Sequence, residues 1–212
     1  IYPGDTYEDV RQGLEEASVL MDVSSFHWVA KKKEYPSMVR PGRYRIRDGM
    51  SNNALVNMLR AGKQEPVMVV FNQVRTLADL AGRVSTYLEP DSTEFLAHLT
   101  DPGLPAEYGF TPATFTAMFI PNTYQFYWTA GPADFTDRMA KEYESFWESR
   151  ERALKKLDMT RVEVITLASI VDEETLHDEE NAAIAGVYMN RLEQGIPLQA
   201  DPTLKFAMND FT

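Results

Sequence analysis

The chain has 212 residues, 44% hydrophobic and 11% aromatic, which suits one large domain or two small ones with a packed core and excludes wholesale disorder. A formal net charge of -11 excludes a nucleic-acid-binding surface, which needs dense Lys and Arg, and points to a neutral or zwitterionic partner. The absence of cysteine removes disulfides, a thiolate nucleophile and Cys-ligated zinc. No apolar run approaches the roughly 20 residues that span a bilayer, and no signal peptide is visible at Ile1. A chain that starts without Met and stops just after a helix reads as a fragment or a processed ectodomain.

From the start to Gly62 the pattern predicts a small α+β unit. Pro3 and Gly4 turn, and Thr6 caps a helix carrying Val10, Leu14 and Ala17 inward. A second helix is expected from Ser24 or Ser25 through Lys33. Pro41 and Gly42 lead into Arg43 to Arg47, where Tyr44 and Ile46 alternate with arginines as in a half-buried strand. Gly49 and Ser51 then open a helix with Leu55, Val56 and Leu59, closed by Gly62. These fifty-odd residues resemble a LysM-like carbohydrate-binding unit, although turns of this kind are ordinary helix-entry chemistry as well.

Pro66 to Phe71 reads as a short apolar strand and Asn72 to Arg75 as a turn. Thr76 caps a helix carrying Leu77, Leu80, Ala81, Val84 and Leu88. A further helix is expected over Ser92 to Leu99 in a stretch rich in Pro, Gly, Thr and aromatics. In Ala117 to Trp128, Phe119, Phe126 and Tyr127 read as core. Tyr124 and Trp128 carry two readings, core or the wall of a sugar groove, because an aromatic face stacks on the C–H face of a pyranose. A long supporting helix is predicted from Pro132 to Leu157.

From Arg161 onward Val164, Leu167, Ala168 and Val171 form an apolar stripe, and its next step lands on Glu174. Desolvation there would disfavour the charged carboxylate and let Glu174 hold a proton near neutrality, as a general acid must. The plainer reading is that Glu174 ends the helix and faces solvent. Asp178 is expected to cap a second helix with Ala183, Ile184, Val187, Tyr188 and Leu192 inward, stopped by Gly195. A loop with two prolines follows, and Asp201 before Pro202 caps a third.

The run ASIVDEET followed by YMNRLEQGIPLQADPTL resembles the signature of the MltG (YceG-like) family of endolytic murein lytic transglycosylases. That family shows an ASI(I/V)-x-x-E-T helix, a (V/I)-x-x-N-R-L helix and an L-Q-(S/T)-D-P-T loop. The AMFIPNTY segment around Pro121 matches a further family element, G-x-(L/F)-x-P-(D/N)-T-Y. Asp172 stands where glutamate is common, Ala200 replaces a small hydroxyl residue, and Asn72-Gln73-Val74 replaces a P-E-G turn. The resemblance implies a LysM-like subdomain over residues 1–65 and a YceG-like, mainly helical α+β catalytic domain over 66–212 whose last part lies beyond Thr212.

The same resemblance implies that Glu174 is the catalytic residue. As an acid it protonates the oxygen of the MurNAc–GlcNAc bond; as a base it then deprotonates the C6 hydroxyl that closes a 1,6-anhydro ring, with no second carboxylate, metal or cofactor. Asn190, Gln199, Thr203 and Tyr124 are candidates for binding the sugar, while Arg191 and Asp201 serve equally to hold the loop. Peptidoglycan strands are the implied partner, with peptidoglycan synthases besides, and the implied location is the outer side of a bacterial inner membrane, anchored by an upstream helix. Two rivals stand beside this reading: a non-catalytic wall-binding scaffold, and a metal-dependent hydrolase built from His177, Asp172, Asp178 or Glu174. His27, His98 and His177 lie in separate segments without an HExxH pairing.

Overall fold

The computed structural model describes residues 1–72 and 74–208. The turn expected at Asn72 to Arg75 includes Gln73, which lies outside the described residues. Four helices begin on reciprocal caps: Thr6, Thr76, Asp91 and Thr160 each accept the backbone N–H three residues on, and the acid there accepts the cap's own N–H. Each such cap contributes about 1 kcal/mol by satisfying N–H groups that the helix cannot.

Helices α1 (Tyr7–Glu16), α2 (Val23–Lys32) and α3 (Asn52–Ala61) enclose a core of Val10, Phe26, Ala30, Tyr35, Leu55, Val56 and Leu59. Asp22 caps α2, two or three residues ahead of the expected serines, accepting from Ser24 and Ser25 N–H at 2.9 and 3.2 Å. Arg43 to Arg47 form no strand. Tyr44 and Ile46 do pack on this core and the arginines do face out, but no backbone ladder runs alongside: a single backbone bond, from Glu65 N–H to the Arg43 carbonyl at 2.9 Å, ties the segment to a neighbour among the described residues. Alternating burial without a partner ladder leaves the segment irregular, so the strands of a LysM-like unit are missing from residues 1–62.

Strands β1 (Val67–Phe71) and β2 (Asn122–Phe126) pair antiparallel, with Val69 opposite Tyr124 and Met68 opposite Gln125. Their inner face meets α4 (Leu77–Ser85), α5 (Ser92–Leu99) and the first half of α7 (Pro132–Glu148) through Phe71, Phe95, Phe126 and Phe135. A short α6 (Leu104–Glu107) intervenes. Helix α4 stops three residues before the expected Leu88, where the Ser85 and Thr86 hydroxyls take the Gly82 and Arg83 carbonyls. The long helix expected to reach Leu157 breaks the same way. After Glu148, Ser149 and Arg150 both donate to the Phe146 carbonyl, and only a short α8 (Glu151–Leu154) follows.

Contacts divide the described chain into two units, residues 1–109 with 121–139, and 110–120 with 140–208. The expected boundary near residue 65 falls inside the first, where residues 1–62 keep their own core. In the second, Phe110, Phe115, Phe119, Tyr143 and Trp147 form an edge-to-face cluster. Its remaining helices are α9 (Arg161–Glu174), α10 (Asn181–Glu193) and α11 (Asp201–Met208), with α9 packed on both others. No helix among the described residues is long and apolar enough to cross a membrane.

Candidate active site

Helix α9 is fixed at its start by the Thr160–Glu163 box and by Arg161, whose guanidinium donates to both oxygens of Glu144 at 2.9 and 2.8 Å. Along it Leu167 and Val171 are buried, closing a small core with Tyr188 of α10 and Ala200 of the following loop. Ala168, expected inside, is exposed. Glu174 is the last residue of α9 and is exposed as well, which corrects the expectation of a carboxyl lying over the apolar stripe. Thr175 turns extended (φ -142°, ψ 149°), so no further turn covers the end of the helix, and the Tyr188 ring occupies the buried place.

What the helix end has instead is a partner. Tyr188 is 5% exposed, and the Glu174 carboxylate lies near enough for its charge to act on the phenol. Burial raises the Tyr188 phenol above its ordinary value and Glu174 raises it further; Arg191 opposes and Asp201 adds to the shift. Glu174, Arg191 and Asp201 are thus the charges that act on the Tyr188 phenol. Reading Tyr188 only as an apolar stripe position missed this. The signal available was a hydroxyl at the single place on α10 that the packing buries completely. Ile184 is partly buried, whereas Ala183, Val187 and Leu192, expected inside, are exposed because the packed edge is narrow.

The turn after Glu174 is tied by Thr175. Its hydroxyl donates to the Glu180 carboxylate at 2.7 Å and accepts the His177 N–H at 3.0 Å. A 3₁₀ turn at Asp178–Glu180 precedes α10, so Asp178 opens that turn and is not the helix cap. Gly195 (φ 66°) ends α10 with Ile196 N–H bonded to the Arg191 carbonyl at 2.8 Å. Arg191 also donates to the Leu198 carbonyl, which holds the loop as one of its two readings had it. The Thr203 hydroxyl donates to the Ala200 carbonyl at 2.6 Å, and α11 begins at Asp201 itself.

Of the expected sugar-binding residues, Asn190 and Gln199 are exposed on α10 and the loop, and Gln199 has a left-handed backbone (φ 53°). Thr203 is partly buried. Tyr124 belongs to the first unit, 5% exposed on the inner face of β2 and stacked on Phe71 at 5.5 Å, so its ring is core and no sugar platform. Trp128 is half-buried with Tyr2 edge-on at 5.1 Å, and Tyr127, expected inside, is 57% exposed. His27 bonds Tyr7 and His98 bonds Thr136. Among the described residues no three His, Cys, Asp or Glu side chains gather as metal ligands would.

The sequence profile of the YceG-like family matches residues 1–212. The chain belongs to the YceG-like family. Two curated relatives bear the name endolytic murein transglycosylase. The one from Streptococcus pneumoniae serotype 2 (strain D39) is 24% identical over 96% of this chain and 42% of its own length; the one from Bacillus subtilis (strain 168) is 24% identical over 96% and 61%. This YceG-like chain therefore spans about half the length of those relatives. A crystal structure of a putative yceG-like protein from Listeria monocytogenes shares its fold, with a TM-score of 0.62 at 23% identity over 100% of this chain and 75% of that one.

Proposed function

We propose that this protein cleaves the glycan strands of peptidoglycan from within as a lytic transglycosylase, with Glu174 as its acid and base. The observation that carries the reading is the Glu174 carboxylate exposed at the end of α9 beside Tyr188, in a family whose matched relatives are named endolytic murein transglycosylases. One carboxylate suffices for this reaction. Protonated Glu174 gives its proton to the MurNAc–GlcNAc bridging oxygen as that bond breaks. The carboxylate then takes the proton of the C6 hydroxyl of the same MurNAc, whose oxygen closes on C1, and no water is consumed. A hydrolase would need a second carboxylate to activate water or to form a glycosyl ester.

Exposure suits the first contact with a large polymer, and the bound strand itself excludes water from the carboxyl during reaction. Asn190, Gln199 and Thr203 are the residues we assign to orienting the strand, and Arg191 the one that holds the loop. Murein lies outside the cytoplasmic membrane, so the catalytic part works there. An upstream membrane anchor and synthase partners belong to the same proposal.

The test is mass spectrometry of purified peptidoglycan strands treated with the protein or its Glu174→Gln variant. Internal fragments ending in 1,6-anhydroMurNAc, made by the wild type and lost by at least a thousandfold in a folded variant, are the expected result. Reducing ends would replace the mechanism by hydrolysis, and no products from either protein would leave a wall-binding scaffold.

A further inference from the structure

The first unit carries a positively charged trough that the chemistry at Glu174 does not use. Its floor is the outer face of the two-stranded sheet, where Met68 and Gln125 face each other across the strands, both exposed. Arg43, Arg45 and Tyr87 line it as well, around a space of about 490 Å³. A second hollow of about 420 Å³ shares Arg43 and Tyr87 and adds Tyr2 and Trp128. Arg45 is paired with Glu65 at 2.6 Å. Arg43 is exposed and has no ion-pair partner among the described residues, so the trough keeps an unneutralised guanidinium in a chain of net charge -11.

The packing beneath explains why Arg43 is held there. Tyr44 and Ile46 are anchored in the helical core below, and the Arg43 carbonyl accepts the Glu65 N–H, which fixes the backbone from which the side chain rises. Along the trough, Tyr87 has Arg83 5.7 Å from its ring, and the Trp128 carbonyl accepts the Glu89 N–H at 2.8 Å. Aromatic rings beside an amide and a guanidinium match sugars that carry carboxylates: rings stack on the pyranose, the Gln125 amide meets hydroxyl or acetamido groups, and the guanidinium takes the carboxylate. A neutral glycan gives Arg43 nothing to bind. A bare anionic surface leaves the rings unused.

We infer that this trough binds a carboxylate-bearing stretch of glycan, the peptide-substituted part of a peptidoglycan strand, through Arg43, Tyr87 and Trp128, apart from the bond being cleaved. The inference rests on the proposed substrate, and its test is binding, not turnover. The Glu174→Gln protein is titrated with a purified disaccharide-peptide fragment of peptidoglycan and with an N-acetylglucosamine oligomer that has no carboxylate. The expected result is binding of the fragment that weakens with salt, at least tenfold tighter than that of the oligomer, and loosened at least tenfold by Arg43→Ala and by Tyr87→Ala. Arg43 is exposed, so Arg43→Ala keeps the unfolding midpoint, and Arg43→Lys restores part of the affinity. Unchanged affinity in Arg43→Ala overturns the inference, as does equal affinity for the neutral oligomer. Arg43-dependent binding to vesicles of anionic lipid without binding of the fragment also overturns it, in favour of a lipid surface. A wild type that binds through Arg43 yet makes no anhydro product defeats the enzymatic reading and leaves this one standing.

Discussion

Tyr188 brings its phenol near Glu174 from a ring packed with Leu167, Val171 and Ala200, so the donor that packing fixes beside the carboxylate is this hydroxyl. Tyr188→Phe keeps the ring and removes the donor. A hydrogen bond to a charged group contributes about 1.5 kcal/mol or more, which corresponds to at least a tenfold fall in kcat with little change in KM. An unchanged kcat would show that the phenol only fills space.

At the scale of elements, the loop between α10 and α11 concentrates the constraints. Gln199 sits at φ 53°, a conformation that costs a non-glycine residue about 1 kcal/mol, while its side chain is exposed. Gln199→Gly should therefore hold or raise the unfolding midpoint. If the amide meets the sugar, activity on strands falls at the same time; a gain in stability with full activity would remove Gln199 from the site. At the other end of the site, Thr160→Ala removes a cap and should cost about 1 kcal/mol, seen as faster amide exchange in the first turn of α9. The Thr160 backbone and side chain hold the Glu163 carboxyl below its usual value, so the cap's contribution is present above that value and is lost as pH falls through the lowered one.

Most helices were legible because their instructions are local. Thr6, Ser51 and Thr76 announce themselves three residues ahead of an N–H they satisfy, and Gly62 and Gly195 announce the ends. Arg43 to Arg47 was misread because alternation records which side chains are buried and says nothing of whether another strand lies alongside. Glu174 was misread for a related reason. Periodicity puts it on the face of Val171 but cannot tell that the helix stops there, and Tyr188 became visible as its partner only once α10 was folded against α9.

For the whole molecule, buried phenols set a limit in alkali. Burial is the first cause that raises Tyr7, Tyr35, Tyr44, Tyr108, Tyr143 and Tyr188 above the ordinary 10.0, and Tyr108, bonded to Asp137 at 2.7 Å, is pushed up to about 12. A group whose value is raised in the folded state contributes stability that is complete below its unfolded value and lost as pH rises through the folded one. The midpoint of chemical unfolding should stay level on this account up to about pH 10 and fall beyond it, in step with tyrosinate absorbance. Ionisation of all ten tyrosines at pH 10 without loss of structure would contradict it.

The pairing of β1 with β2 joins residues about fifty positions apart. Closing a loop of that length costs on the order of 3–4 kcal/mol in chain entropy before a single ladder bond is made. The stretch between the strands is not slack, since α4 and α5 pack on one another within it and shorten the path. The search for the strand partner is thereby handed to a helical hairpin that forms from near neighbours. Weakening the α4–α5 contact through Leu80 or Phe95 should then slow the folding of the first unit more than it hastens its unfolding.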